Sequence, residues 1–178
     1  MIKNYLTLLK LRVVELLIVT TIPAMFLAAK GFPNLTTALA TVIGGTLAAG
    51  SANAFNMAIE SDRDRLMTRT ASRPTAQQVI SKKNSYIFAT VVGIISLAIF
   101  QIFTNTLATL LTLFAIVFYV VGYTIILKPN TSQNIVWGGI AGCMPVLIGW
   151  AAIENKISLT AILFFLVVFF WTPPHFWA

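Results

Sequence analysis

Asn56, Glu60 and Asp64 stand four residues apart in the stretch NMAIESDRDRLMTRTASRP, residues 56–74. On a helix each step of four turns the side chain by only about 40°, so the three share one face. Three oxygen-bearing side chains in a stripe suit a hard divalent cation such as Mg²⁺, which takes carboxylates and waters and often shares its shell with substrate phosphates. Arg69, Arg73 and Lys128 could supply the complementary charge, because guanidinium forks and ammonium groups both grip phosphate oxygens. The pattern therefore fits acids that hold a cation and bases that hold a phosphorylated substrate. Asp62 points elsewhere on a continuous helix and joins the stripe only if the helix loosens near Ser61. On spacing alone a second reading stays open, in which the carboxylates only pair with neighbouring arginines in a solvated interfacial loop. The DRDR run lacks the turn glycine and distal glutamate of an EF-hand, and the chain has no P-loop, GxSxG or HExxH pattern.

The elements that must carry this stripe are apolar. The 178 residues are 58% hydrophobic and 10% charged, with a mean hydropathy of +0.87. Soluble domains carry roughly a quarter charged residues, so this chain cannot cover itself with polar surface and is read as an integral membrane protein. The fold class expected is all-α, a polytopic transmembrane helix bundle forming a single membrane-embedded domain over 1–178. Six apolar segments approach the length that spans about 30 Å of hydrocarbon, at about 13–29, 37–59, 86–103, 107–127, 135–153 and 157–172. Pro173 and Pro174 are expected to end the last of them. No interrupted, paired half-helices are evident, which counts against an ion-coupled transporter.

A net charge of +7 would suggest nucleic acid in a soluble protein. In a membrane protein basic residues fix orientation instead. With the N-terminus in the cytoplasm, Lys3, Lys10, Arg12, Arg63, Arg65, Arg69, Arg73, Lys82, Lys83 and Lys128 all face inward, against Lys30 and Lys156 outside. The charged stretch is therefore expected at the cytoplasmic end of the second span. The small-residue run GGTLAAGSANA, residues 44–54, and the pair Gly138 and Gly142 at GxxxG spacing suit close helix packing or backbone approach to a ligand. Cys143 lies in an apolar stretch and reads as an inert core residue. His175 is the sole histidine. It could serve as a ligand, or simply orient the chain end beside aromatic anchors.

The pattern N-x-x-x-E-x-D-x-D followed by RTxxRP resembles the first acidic motif of the UbiA superfamily of membrane prenyltransferases. NIVWGGIAGCMPVLIGWAA, ending at residue 152, and the terminal WTPPHFWA resemble the branch of that superfamily that farnesylates protohaem IX. The resemblance implies a bundle of about nine spans around a cavity, which makes this chain a C-terminally shortened piece. It implies Asn56, Glu60 and Asp64 as catalytic ligands of Mg²⁺ and diphosphate, with Asp62 supporting the metal. Arg69, Arg73, Lys128 and Tyr123 become the diphosphate-binding residues. Farnesyl diphosphate and haem b would be the substrates and haem O, for haem-copper terminal oxidases, the product, with His175 able to meet the haem iron or a propionate. The lipid bilayer and other proteins of the haem O and haem A pathway become the partners, with no nucleic acid.

Three positions depart from the family pattern. Glu60 stands where aspartate is usual, Leu11 separates Lys10 from Arg12 where proline is common, and Pro129 follows Lys128 where a second base is usual. A sibling prenyltransferase acting on a quinone precursor or chlorophyllide would share the acidic motif. Readings from other classes are an ion-coupled transporter and a purely structural assembly subunit.

Overall fold

The structure, a computed structural model, describes residues 2–177, with the side chains of residues 2, 12, 13 and 175–177 left out. It is all-helical among these residues. The elements are α1 (Ile2–Leu9), α2 (Leu11–Ala29), α3 (Leu35–Arg65), α4 (Lys82–Phe103), α5 (Thr106–Val117), a π-helix (Phe118–Leu127), the short α6 (Lys128–Asn130), α7 (Asn134–Glu154) and α8 (Leu159–Trp177).

Local sequence explains the boundaries. Asn34, Ser81 and Asn105 cap α3, α4 and α5 by accepting from backbone N–H groups in the first turn. Lys30 and Asn155 end α2 and α7 in the left-handed conformation. Asn105 also donates to the Ala151 carbonyl at 2.7 Å, which ties the start of α5 to the end of α7.

Four helices are long and apolar enough to cross a membrane: Leu35–Arg65, Lys82–Phe103, Thr106–Asn130 and Asn134–Glu154. A fifth candidate is the pair Lys3–Leu9 and Val14–Ala29, bent by 53° at the break between them. Leu159–Pro174 is a shorter apolar helix. The apolar segment expected at 13–29 lies within α2, and the short α1 is set off from it where Lys10 leaves the helical conformation (φ 49°, ψ 54°). The last helix differs from expectation: α8 runs through Pro173 and Pro174 to Trp177. Proline's fixed φ is compatible with a helix, and the missing N–H groups of Pro173 and Pro174 leave the Phe169 and Phe170 carbonyls without the donors four residues on.

The small residues of α3 let its neighbours close in. Ser51 donates to the Ala89 carbonyl and Ser96 to the Gly44 carbonyl, both at 2.7 Å, along the α3–α4 seam. A Cβ on Gly44 would come 2.9 Å from the Phe100 ring. Phe100, Ala108, Met144, Ile148, Ala151 and Ala152 form one core cluster, where α4, α5 and α7 meet. Cys143 of α7 is buried as a free thiol.

At about 1.5 Å per residue, the 31 residues of α3 extend roughly 46 Å. That exceeds the ~30 Å hydrocarbon layer. The excess length lets its charged C-terminal end stand at the membrane boundary while its small-residue part stays inside.

Candidate active site

The α-helix of α3 continues unbroken to Arg65, so Asn56, Glu60 and Asp64 keep their common face. All three are buried, at 2%, 5% and 0% exposure. Buried carboxylates must find cationic or hydrogen-bonding partners. Each finds one from a different part of the chain.

Asp64 is held by Arg73. The 66–81 segment folds back along the end of α3, where Thr70 donates to the Asp64 carbonyl and Thr75 to the Met57 carbonyl, both at 3.1 Å. Ile80 anchors the segment in a cluster with Leu8, Ala54, Met57 and Ala89. The fold-back carries the Arg73 guanidinium onto both Asp64 oxygens.

Glu60 is held by Lys128, whose Nζ stands 2.5 Å from Oε1. The same ammonium lies 6.0 Å from the centre of the Tyr123 ring. Both residues reach the site through the π-helix. Its turn takes about one residue more than an α-turn, which brings Tyr119, Tyr123, Thr124 and Lys128 toward one side. Thr124 donates to the Tyr119 carbonyl, five residues back, at 2.9 Å. The Tyr119 and Tyr123 rings lie 5.3 Å apart. Gly138 of α7 makes room for Tyr123, since a Cβ there would stand 2.6 Å from the ring. Gly142 has nothing within 4 Å of such a Cβ. The GxxxG pair is therefore not a two-helix seam: one glycine seats a tyrosine and the other faces open space.

Asn56 is held on both sides of its amide. Lys10 donates to its Oδ1 at 3.2 Å, and its Nδ2 donates to Thr124 Oγ1 at 3.2 Å. Sequence reasoning missed Lys10 and Thr124. In the sequence Lys10 reads only as a topology charge, and the nearest signal to it is Leu11, which stands where the resembled family commonly has proline between two bases. A hollow of about 190 Å³ opens beside Glu60, between Ile59 and Arg63 of α3 and Thr124, Ile125 and Pro129.

Two expected residues are not brought to this cluster. Asp62 is on another face, 69% exposed, and pairs with Lys82 at 2.6 Å. The helix does not loosen at Ser61, so the geometric condition for its metal role is not met. Asp62 and Lys82 instead border a separate hollow of about 420 Å³ with Arg65, Thr75, Gln78, Ile80 and Ser81. Arg69 is exposed in the fold-back segment. No hydrogen bond or ion pair joins it to the cluster among the described residues. His175 and its haem contact lie outside the described side chains. The interfacial-pairing reading thus holds for Asp62, while Asp64 and Glu60 are paired in a buried setting.

The stripe offers two carboxylates and an amide oxygen rather than three acids. No group of three or more His, Cys, Asp or Glu side chains able to share a metal forms among the described residues. These are hard oxygen donors, and Mg²⁺ is commonly held by one or two carboxylates with water and substrate phosphate oxygens completing its shell. Asn56, Glu60 and Asp64 fit that ion as a partial set.

The chain is 54% identical over 175 residues to a protoheme IX farnesyltransferase of Renibacterium salmoninarum, covering 98% of this chain and 55% of that protein. Identity to the enzyme of that name from Leifsonia xyli subsp. xyli is 53%, with 99% and 57% covered. To the one from Streptomyces coelicolor it is 51%, with 99% and 56% covered. The chain thus spans a little over half the length of these curated relatives. Among solved structures it superposes on a UbiA homolog from Archaeoglobus fulgidus bound to GPP and Mg²⁺, with a TM-score of 0.74 at 18% identity, over 97% of this chain and 62% of that one. The UbiA prenyltransferase family matches residues 17–178, and the chain belongs to that family.

Proposed function

We propose that the protein transfers the farnesyl group of farnesyl diphosphate to a vinyl group of protohaem IX, giving haem O. The observation that carries this reading is the buried stripe Asn56, Glu60 and Asp64 faced by Lys10, Lys128 and Arg73. It occurs in a chain about half identical to relatives named for that reaction. The GPP and Mg²⁺ bound by the structural neighbour support an allylic diphosphate and a divalent cation here.

Asn56, Glu60 and Asp64 would hold Mg²⁺, which when bound neutralises charge on the departing diphosphate. Lys128, Arg73 and Lys10 would exchange their present carboxylate and amide partners for diphosphate oxygens. Preorganised cations aimed where charge develops lower the barrier to departure. The C1–O electron pair leaves with the diphosphate and the vinyl carbon forms the new bond at C1. Water adds to the resulting cation beside the porphyrin ring and loses a proton, leaving a hydroxyethylfarnesyl group. Tyr123 and Tyr119 would wall the cluster and keep stray water from the allylic cation.

We further propose that the N-terminus and the acidic face lie on the cytoplasmic side of a bacterial inner membrane, supported by the ten-to-two bias of basic residues. Other proteins of the haem O and haem A pathway are the partners this reading implies. The test is farnesyl diphosphate consumption by the complete encoded protein in lipid nanodiscs. Turnover that requires protohaem IX and disappears in Asp64→Asn is expected. Turnover with a quinone precursor but not with haem would overturn the substrate.

A further inference from the structure

Lys10 holds a left-handed backbone at the break between α1 and α2. That conformation is disfavoured for a residue with a side chain, and it persists where the surroundings enforce it. Two residues of α3 grip the break. Asn53, buried at 4% exposure, donates Nδ2 to the Leu9 carbonyl at 3.2 Å. Gly50, one turn earlier, lies so close to Leu9 that a Cβ there would stand 2.7 Å from its Cδ2. One turn beyond Asn53, Asn56 accepts from Lys10 Nζ. Successive turns of α3 thus take the backbone of the break and then its side chain. Leu8, in the last turn before the break, is fully buried against Ala54 and Met57 of α3. The hydrogen bond of Asn53 goes to the Leu9 backbone and not to the charged cluster, so this contact reaches the site by way of the break.

We propose that Asn53, seated with Gly50 against Leu9, is a positioning residue that fixes the break in the first span and aims the Lys10 ammonium at the substrate diphosphate. This rests on the proposed prenyl transfer for the identity of the anion.

The test is a double-mutant cycle in the complete protein in nanodiscs, reading the affinity for farnesyl thiolodiphosphate with Mg²⁺ by calorimetry. Lys10→Met and Asn53→Leu are each expected to weaken binding by about tenfold, the scale of one charge-assisted contact. The double variant is expected to bind no more weakly than Lys10→Met alone. Gly50→Ala, which pushes Leu9 outward, is expected to show the same dependence on Lys10 and replaces Asn53→Leu if that variant fails to insert. A double variant whose loss is the product of the two single losses would overturn the proposal, because a merely structural asparagine acts whether or not Lys10 is present. Unchanged affinity in Lys10→Met would overturn it too, while leaving prenyl transfer standing if Asp64→Asn still abolishes binding. No thiolodiphosphate binding by the unmodified protein would instead remove the reaction on which both rest.

Discussion

Arg73 donates through a single guanidinium nitrogen to both oxygens of Asp64, at 2.9 and 2.7 Å, across the fold-back of the 66–81 segment. The Asp64 side chain is 1% exposed and that of Arg73 19%. The pair joins the end of the longest helix to the segment that follows it, so one contact serves both the fold and the site. Lys128 on Glu60 repeats the arrangement from the opposite direction. Acids proposed for a cation and bases proposed for a diphosphate neutralise one another, and ligand binding must exchange these partners.

Arg73→Met should leave a buried carboxylate without its cation. Breaking one side of a buried pair costs on the order of 3 kcal/mol. The thermal unfolding midpoint in detergent should fall clearly, and Asp64→Asn in the same background should recover most of the loss. A midpoint unchanged by Arg73→Met would show that the contact is not formed.

The two acids at the end of α3 that sit two residues apart should behave oppositely. Asp62 is exposed and paired with Lys82 at the surface, a contact of roughly 0–1 kcal/mol. Asp62→Asn should therefore leave prenyl transfer within about twofold of its original rate. Asp64→Asn removes a proposed cation ligand and should lower kcat by about a hundredfold or more. Equal losses in the two variants would bring Asp62 back into the site.

The two glycines of the GGIAG run should also separate. Gly138→Ala places a methyl 2.6 Å from the Tyr123 ring, whereas Gly142→Ala meets nothing within 4 Å. Gly138→Ala is expected to displace Tyr123 from Lys128 and slow turnover about tenfold, while Gly142→Ala stays near the original rate. Kinetics of the two variants side by side check this. A selective loss in Gly142→Ala would point instead to a ligand or helix covering that face.

What could be read from the residues follows from what is periodic. Asn56, Glu60 and Asp64 shared a face because a helix repeats every 3.6 residues, and nothing tertiary was needed to see it. The apolar segments followed from the same kind of regularity. Lys10 did not, because it comes 46 residues before Asn56 and enters at a helix break that packs against Gly50 and Asn53 of α3. Thr124 was hidden by the π-helix, which shifts register without a sequence period of its own. Arg69 and Arg73 looked equivalent in RTASR, and only the buried threonines of the fold-back decide which one reaches Asp64. Asp62 turned on one local question, the continuity of α3 past Ser61, and the helix stays regular there.

Lys128 offers the sharpest division between fold, cation and diphosphate. Its side chain is 37% exposed, so little packing is lost with it, but it neutralises Glu60, which is 6% exposed, and its removal carries the cost of a buried unpaired carboxylate until a cation binds. Lys128→Ala frees the carboxylate. In the absence of diphosphate, Mn²⁺ binding measured by electron paramagnetic resonance should therefore strengthen, by about tenfold if one competing pair is lost. Diphosphate affinity should move the other way, because a base that exchanges Glu60 for a phosphate oxygen is gone. The KM for farnesyl diphosphate should rise while that for protohaem stays near its original value. Opposite shifts for cation and diphosphate are the signature of partner exchange. If both affinities fell together, Lys128 would be holding the site in shape rather than trading Glu60 for the substrate. If both KM values rose equally, its contact would belong to neither substrate in particular.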